Sequence, residues 1–252
     1  MSLMSLQGPI NLAPRITSTA KAKPGALRFV GQADVCDVEM EAESASQTDS
    51  YTGQRLEIGS LSLGKTGTIS LTLKDWSLEN LALALYGQVF RVEAGTISGE
   101  ALPPGLIVGD RVRLDNPFVS DVLLTASDGS TALVPGTDYR VDSATAGIIE
   151  LLSESALTAT AAYSYAPTEQ LGLFTTTPPE RWLLLDGINT ENDERVIVQL
   201  YRVKFQPVSS LSLLHNEGYG ELPLTGNVLA DTTQGSDSEL GYFGSYVQKV
   251  AE

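Results

Sequence analysis

One cysteine, one histidine and two tryptophans in 252 residues leave little for catalysis to use. With Cys36 alone, no disulfide can close within the chain, so stability must come from burial or from assembly, and a reducing cytoplasm suits it. Cys36 has no histidine near it in sequence and reads as a small packed hydrophobe. His215, the single histidine, removes most triad, general-base and zinc arrangements at once; beside Asn216 it reads as a turn residue. No apolar run reaches the roughly eighteen residues that a membrane helix needs, and the N-terminus lacks a signal peptide's charged-then-apolar order. The chain is therefore expected to fold where it is made, without a membrane.

Other motifs are missing too. "GYG" at Gly218 has neither the third glycine nor the strand and helix of a dinucleotide fingerprint, and no GxxxxGK[ST] occurs. "NTENDE" and "DTTQGSDSE" are acidic, but neither has the calcium-loop spacing. No metal, no cofactor and no catalytic residue is assigned. Two alternatives stay open: a carbohydrate- or receptor-binding β domain, and a carboxylate-dependent hydrolase with a perturbed acid pair.

What the chain does have is carboxylate. The 31 acidic residues outnumber 16 basic ones, giving a formal net charge of -15, which argues against phosphate-backbone binding. The 42% hydrophobic content is enough for one large domain or two small ones. Charge is unevenly spread. The first 33 residues hold Arg15, Lys21, Lys23 and Arg28 and no acid, with prolines at 9, 14 and 24. Residues 1–26 read as an extended arm, either a disordered terminus or a basic arm that docks on a neighbouring copy through Arg15, Lys21 and Lys23.

From Asp34 the charge reverses. In "DVEMEAES", Glu39, Glu41 and Glu43 alternate along a strand, so they share a face at roughly 7 Å spacing. Two such charges repel by about 0.6 kcal/mol in water and about 2.4 kcal/mol at an effective dielectric of 20. That face is expected to be wet.

Short alternating runs "ALRFVGQ", "DVEMEAESA", "RLEIGSLSL" and "TISLTLKD" read as strands, with a hairpin turn at Gly64 to Gly67. "SLENLALALYG" reads as a helix: Ser77 caps it, Glu79 suits its positive end, and Gly87 ends it. Leu78, Leu81, Ala82 and Leu85 form its apolar stripe. Residues 96–170 have their own turn signals, "PPG", "SDGS", "VPGTDYRVD" and "ATAGIIELL", and read as an inserted β module between Pro-containing flanks. The strands "ERWLLLDGI" and "ERVIVQLYRVKFQ" follow, joined by "NTEND", and then "GELPLTGNVLAD". Their continuous apolar runs, at Trp182 to Leu185 and Val196 to Val198, fit strands covered on both faces, one of them by another subunit.

The order of these elements resembles the major tail tube proteins of long-tailed bacteriophages. The likeness rests on "DVEMEAES", the polar loop "TDSYTGQRLE", "IGSLSLGKTGTISLTL" and "DWSLENLALALYG", covering about residues 27–95, and more loosely 181–229. The hairpin around "VPGTDYRVDSATAGIIEL" is similar to added β modules of phage tail proteins. The resemblance implies a mainly β fold: a β-sandwich or barrel-like core from 27–95 and 171–252 with one flanking α-helix; the 96–170 module is expected on the tube exterior, because six copies could not fit in a lumen that passes duplex DNA. It implies homohexameric rings, stacked into a hollow conduit for DNA, in a virion tail assembled in the host cytoplasm. The partners would be other copies, tape-measure, tail terminator and tail tip proteins, and genomic DNA passing through without specific binding. Glu39, Glu41 and Glu43 would line the lumen, unless they form an ordinary solvated outer face. The loop of Asp49, Tyr51, Gly53, Gln54 and Arg55 would link successive rings.

Overall fold

A computed structural model describes residues 3–18, 21–51, 53–234 and 241–249. The fold is mainly β, with one α-helix among the described residues. The chain divides into two compact units, Met1–Val89 with Leu171–Glu252, and Phe90–Gln170.

In the first unit ten strands form one antiparallel sheet. Across it run Lys23–Pro24, Ile10–Ile16, Arg181–Asn189, Arg195–Phe205, Leu222–Val228, Glu57–Leu73 and, at the edge, Ala33–Thr48. Leu6–Gln7 adds to Arg181–Asn189, and Arg28–Phe29 adds to Ile10–Ile16. Arg195–Phe205 shares one of its edges: Gly244–Gln248 covers Val196–Leu200, and Leu222–Val228 covers Val203–Phe205. Period-two alternation sends Ile69, Leu71 and Leu73, with Leu222, Leu224 and Val228, into one core beside Leu183, Val203 and Phe205.

Residues 10–16 correct the expected arm. Ile10, Leu12 and Ala13 are buried, and the strand pairs with its neighbour from Leu185 back to Arg181. Prolines and basic charge suggested a free terminus, but the apolar residues Ile10, Leu12 and Ala13 supply buried faces. Residues 1, 2, 19 and 20 of that arm lie outside the described residues.

A second correction concerns Gly64 to Gly67. No turn occurs there; Glu57–Leu73 is one strand of 17 residues paired with Ala33–Thr48 almost throughout. The turn is the loop that follows Thr48, and Gly64 stands where the register shifts between Glu43 and Ser44. Leu222–Val228 supports Glu57–Leu73 only from Gly67 onward, so residues 57–66 project with residues 41–48 as a two-stranded ribbon. At about 3.4 Å per residue that is roughly 34 Å of ribbon.

The helix runs Leu78–Ala84, capped by Ser77, whose Oγ accepts from the Asn80 N–H at 3.3 Å. Its buried face is Asn80, Leu83 and Ala84, one step round from the expected stripe, of which Leu81 and Leu85 are partly buried. Asn80 is why: its Nδ2 donates to the carbonyls of Val30 (2.8 Å) and Asp75 (2.9 Å), and its Oδ1 accepts from Arg28 (2.8 Å). A polar residue so satisfied can be buried at little cost, and apolarity alone does not reveal it. The left-handed residue ending the helix is Tyr86 (φ 49°), while Gly87 is needed because a Cβ there would stand 2.5 Å from the Gly172 carbonyl oxygen.

Trp182 and Leu183 are both buried, on opposite faces: Leu183 in the main core, Trp182 against Ala13 and Tyr201, whose ring lies 4.9 Å away. The second face at this point is thus closed within the chain, where a neighbouring subunit was expected.

The second unit contains two three-stranded antiparallel sheets: Val119–Thr125, Thr160–Tyr165 and Gly95–Ala101; and Tyr139–Ser143, Ile148–Leu151 and Arg111–Arg113. Leu114, Leu124, Tyr139, Ile149, Leu151 and Tyr163 share its core. Gly147 (φ 68°) makes the turn between two of these strands, where a Cβ would meet the Asn116 carbonyl oxygen at 2.5 Å. The unit runs from Phe90, within the strand Gln88–Val92, to Gln170, within its partner strand Thr168–Gly172.

Candidate functional site

The acidic strand and its partner set out a polar face. Glu39 stands opposite Thr68, Glu41 opposite Thr66 and Glu43 opposite Gly64, so the three carboxylates share one face and no cation stands across from any of them. All three are exposed. Asp37 opposite Ser70 extends the row, and Thr225 and Asn227 extend it across the next strand. The Thr68 hydroxyl donates to Glu39 at 3.5 Å, a long bond that leaves the carboxylate to water. Chemically this surface repels polyanions and offers hydroxyls to solvent.

The loop after Thr48 is fastened at its base. Asp49 is buried, its N–H donates to the Leu56 carbonyl at 2.7 Å, and its Oδ1 accepts from the Tyr51 N–H at 2.9 Å. That Asx-type closure holds the tip in shape. Gly53 (φ 75°) and Arg55 (φ 50°) take left-handed conformations, and Tyr51, Gln54 and Arg55 are exposed. Thr52 lies outside the described residues.

The three basic residues assigned to the arm are not brought to one outward surface. Arg15 forms a bidentate pair with Asp231, at 2.8 and 3.0 Å, and reaches Glu180 at 3.4 Å. Glu180 also accepts from Arg202 at 2.6 Å. Asp231 is fully buried; burial alone would raise its carboxyl, but hydrogen bonds from Arg15 and Thr233 outweigh that and hold it below the usual range. The reason for the correction is geometric: Arg15 lies on a strand of the sheet, beside the segment that carries Asp231. Ala22 is buried as well, donating to Thr233 Oγ1 at 2.9 Å and accepting from Gln234 Nε2 at 2.6 Å. Lys21 is half-buried next to it, and Lys23, in a two-residue strand beside Arg15 and Ile16, is exposed.

Neither the single cysteine nor the single histidine is set up for chemistry. Burial, then the Asp37 charge, pushes the Cys36 thiol up to about 11, away from the thiolate that a nucleophile needs. His215 packs edge-on against Trp76, 5.9 Å between ring centroids. Among the described residues no group of three or more His, Cys, Asp or Glu side chains is arranged to hold a metal. Among the described residues no helix is long and apolar enough to cross a membrane. Residues 235–239 of "DTTQGSDSE" lie outside the described residues.

The structure also shows a feature that the sequence pattern did not reveal. Val38, Met40 and Ala42, which alternate with the glutamates, line one wall of a groove of about 480 Å³; Tyr242, Phe243 and Tyr246 line the other. The first wall was legible as the reverse side of the acidic strand. The second comes from Gly244–Gln248 and the turn before it, beyond the last strand read from sequence, and about two hundred residues of separation hide their meeting.

The chain belongs to the family described as Protein of unknown function UCP028589, which matches residues 3–247. No curated protein matches it.

Proposed function

We propose that this chain is the structural subunit of a bacteriophage tail tube, forming hexameric rings that stack into a hollow conduit for DNA. One observation carries the reading: the ribbon of residues 41–48 and 57–66 projects with both faces in solvent while bearing Ile58, Leu61 and Leu63. A two-stranded ribbon is marginal in water, and burying each such side chain is worth about 1.5–3 kcal/mol. A ribbon of this kind is completed by neighbours. The order of elements along the chain, which resembles tail tube proteins, supplies the ring and the stack.

In this reading the Glu39, Glu41 and Glu43 face lines the channel, where uncompensated carboxylates and hydroxyls let DNA slide without adhering. The Asp49–Leu56 tip, fastened at its base and bearing exposed Tyr51 and Arg55, links one ring to the next. The Phe90–Gln170 unit stands on the exterior, since six copies of about 80 residues would obstruct a channel that must pass duplex DNA. Tape-measure, terminator and tip proteins are the further partners, and the virion tail is the location.

The test is the triple substitution Glu39→Lys, Glu41→Lys and Glu43→Lys. An exposed face tolerates either sign, so the subunit folds, and six copies carry each position from roughly -6 to +6 per ring. Tubes of the variant retain added DNA, and the retention weakens as salt rises. Tubes that assemble but bind no more DNA than the parent's place these glutamates outside the channel.

A further inference from the structure

The projecting ribbon changes sides partway along. Near its base, Lys65, Gly67 and Ile69 pair with Ala42, Met40 and Val38, so the odd positions of the return strand share the groove side. Between Glu43 and Ser44 the register shifts and Leu63 is the extra residue. Beyond it Leu61 stands opposite Ala45, which lies on the glutamate side of its own strand. A bulge re-aims the side chains that follow it. The chain thus presents an apolar groove on one side of the ribbon's base and Leu61 on the other side farther out, between Leu63 at this bulge and Ile58 at a second register shift.

Both are uncovered. Met40 is 53% exposed at the groove, and Leu61 and Leu63 are 65% and 61% exposed on the stem. The stem also carries two glycines that nothing within the chain requires. A Cβ at Gly64 would meet nothing within 4 Å, and one at Gly59 only the Gln47 Cβ at 3.9 Å. Neither takes the left-handed conformation for which a bulge selects glycine. Glycine inside a strand otherwise marks the close approach of another backbone.

We infer that the stem Ile58–Leu63 of one copy seats in the groove lined by Val38, Met40, Tyr242 and Tyr246 of a second copy. The inference rests on the self-assembly reading above and names its surfaces. The occupant is a second copy because donor and acceptor surfaces are both on this chain, on opposite sides of one ribbon. Joining them covers both at once. Such a contact is head-to-tail, the kind that closes into a ring or extends as a stack, and not a two-fold dimer. The groove is within the range of about 300–1,000 Å³ that accepts a drug-sized ligand, roomy enough for a few aliphatic side chains. Its rim carries Lys65 and the hairpin end carries Glu57, so that rim charge has an opposite sign to meet.

Two variants of the full chain test this, one with the stem blocked (Leu61→Lys with Leu63→Lys) and one with the groove blocked (Met40→Lys with Tyr246→Lys). All four positions are exposed, so each variant is expected to remain a folded monomer with the parent's circular dichroism, and to lose assembly. An equimolar mixture retains one good stem and one good groove per pair, and light scattering after size exclusion should show dimers and nothing larger. Mixtures that stay monomeric, or that form rings, overturn the inference, as does either variant assembling like the parent. Should a variant misfold, Met40→Cys and Leu61→Cys chains, each also carrying Cys36→Ser, are oxidised together. A crosslinked dimer that neither chain gives alone supports the contact; its absence overturns it. Parent chains that assemble while these tests fail leave the tail tube reading standing; parent chains that stay monomeric remove that reading first.

Discussion

Toward one end of the ten-stranded sheet, Ile10–Ile16 buries Ile10, Leu12 and Ala13 and sends Arg15 into a buried ion pair; at the other end, Ala33–Thr48 runs 16 residues without one fully buried side chain. By composition the two should be reversed. The first lies in a basic, proline-bearing terminus and the second alternates as a regular strand. Neighbours decide the matter. Ile10–Ile16 has strands on both edges and the Asp231 segment beside it, whereas Ala33–Thr48 has one neighbour, which itself loses support beyond Gly67. A strand's local pattern reports which side chains share a face, and topology decides whether anything covers that face.

The contrast is sharpened most by removing Asp231. Asp231→Ala leaves the Arg15 guanidinium buried without its main partner, and breaking a buried pair in this way costs about 3–5 kcal/mol. Both tryptophans lie in the first unit, so urea unfolding followed by their fluorescence reads that unit directly. A loss under about 1 kcal/mol would show that the basic terminus is as loosely held as its composition suggests.

Acid has a smaller, graded effect at the same place. The folded carboxyl of Asp231 is held below its unfolded value of about 3.9, so its contribution is fully present above that pH and is lost as pH falls through the folded value. Comparing the parent with Asp231→Asn isolates this group from the other carboxylates. The parent's urea midpoint should fall more steeply below about pH 4 than the variant's. Parallel acid limbs would mean that Asp231 titrates alike in both states.

The smallest effect on the single chain is expected at the other end. Leu61→Ala with Leu63→Ala should change monomer stability by no more than about 0.5 kcal/mol, as surface truncations do, although a core leucine such as Leu71 would cost about 2–5 kcal/mol. A core-sized loss in the monomer would mean that the ribbon is already covered within its own chain.

Much of the fold was legible because period-two patterns and turn residues are local. The strands Arg181–Asn189, Arg195–Phe205 and Leu222–Val228, the Ser77 cap, and the shared face of Glu39, Glu41 and Glu43 can each be read from a few adjacent residues. What escaped depends on distant partners. Gly64 and Gly67 looked like a turn, but pairing with a strand more than twenty residues earlier runs straight through them. Asn80 and Asp231 are buried because of hydrogen bonds to Val30 and Arg15, far away in the chain. The groove needs Met40 and Tyr246 together, and no local pattern joins them.

Negative-stain electron microscopy of the concentrated full chain tests the central claim most directly. Self-assembly through the ribbon predicts rings with an open centre, stacked into tubes as wide as a phage tail. A field of single particles with no central opening, unchanged as concentration rises, would contradict it.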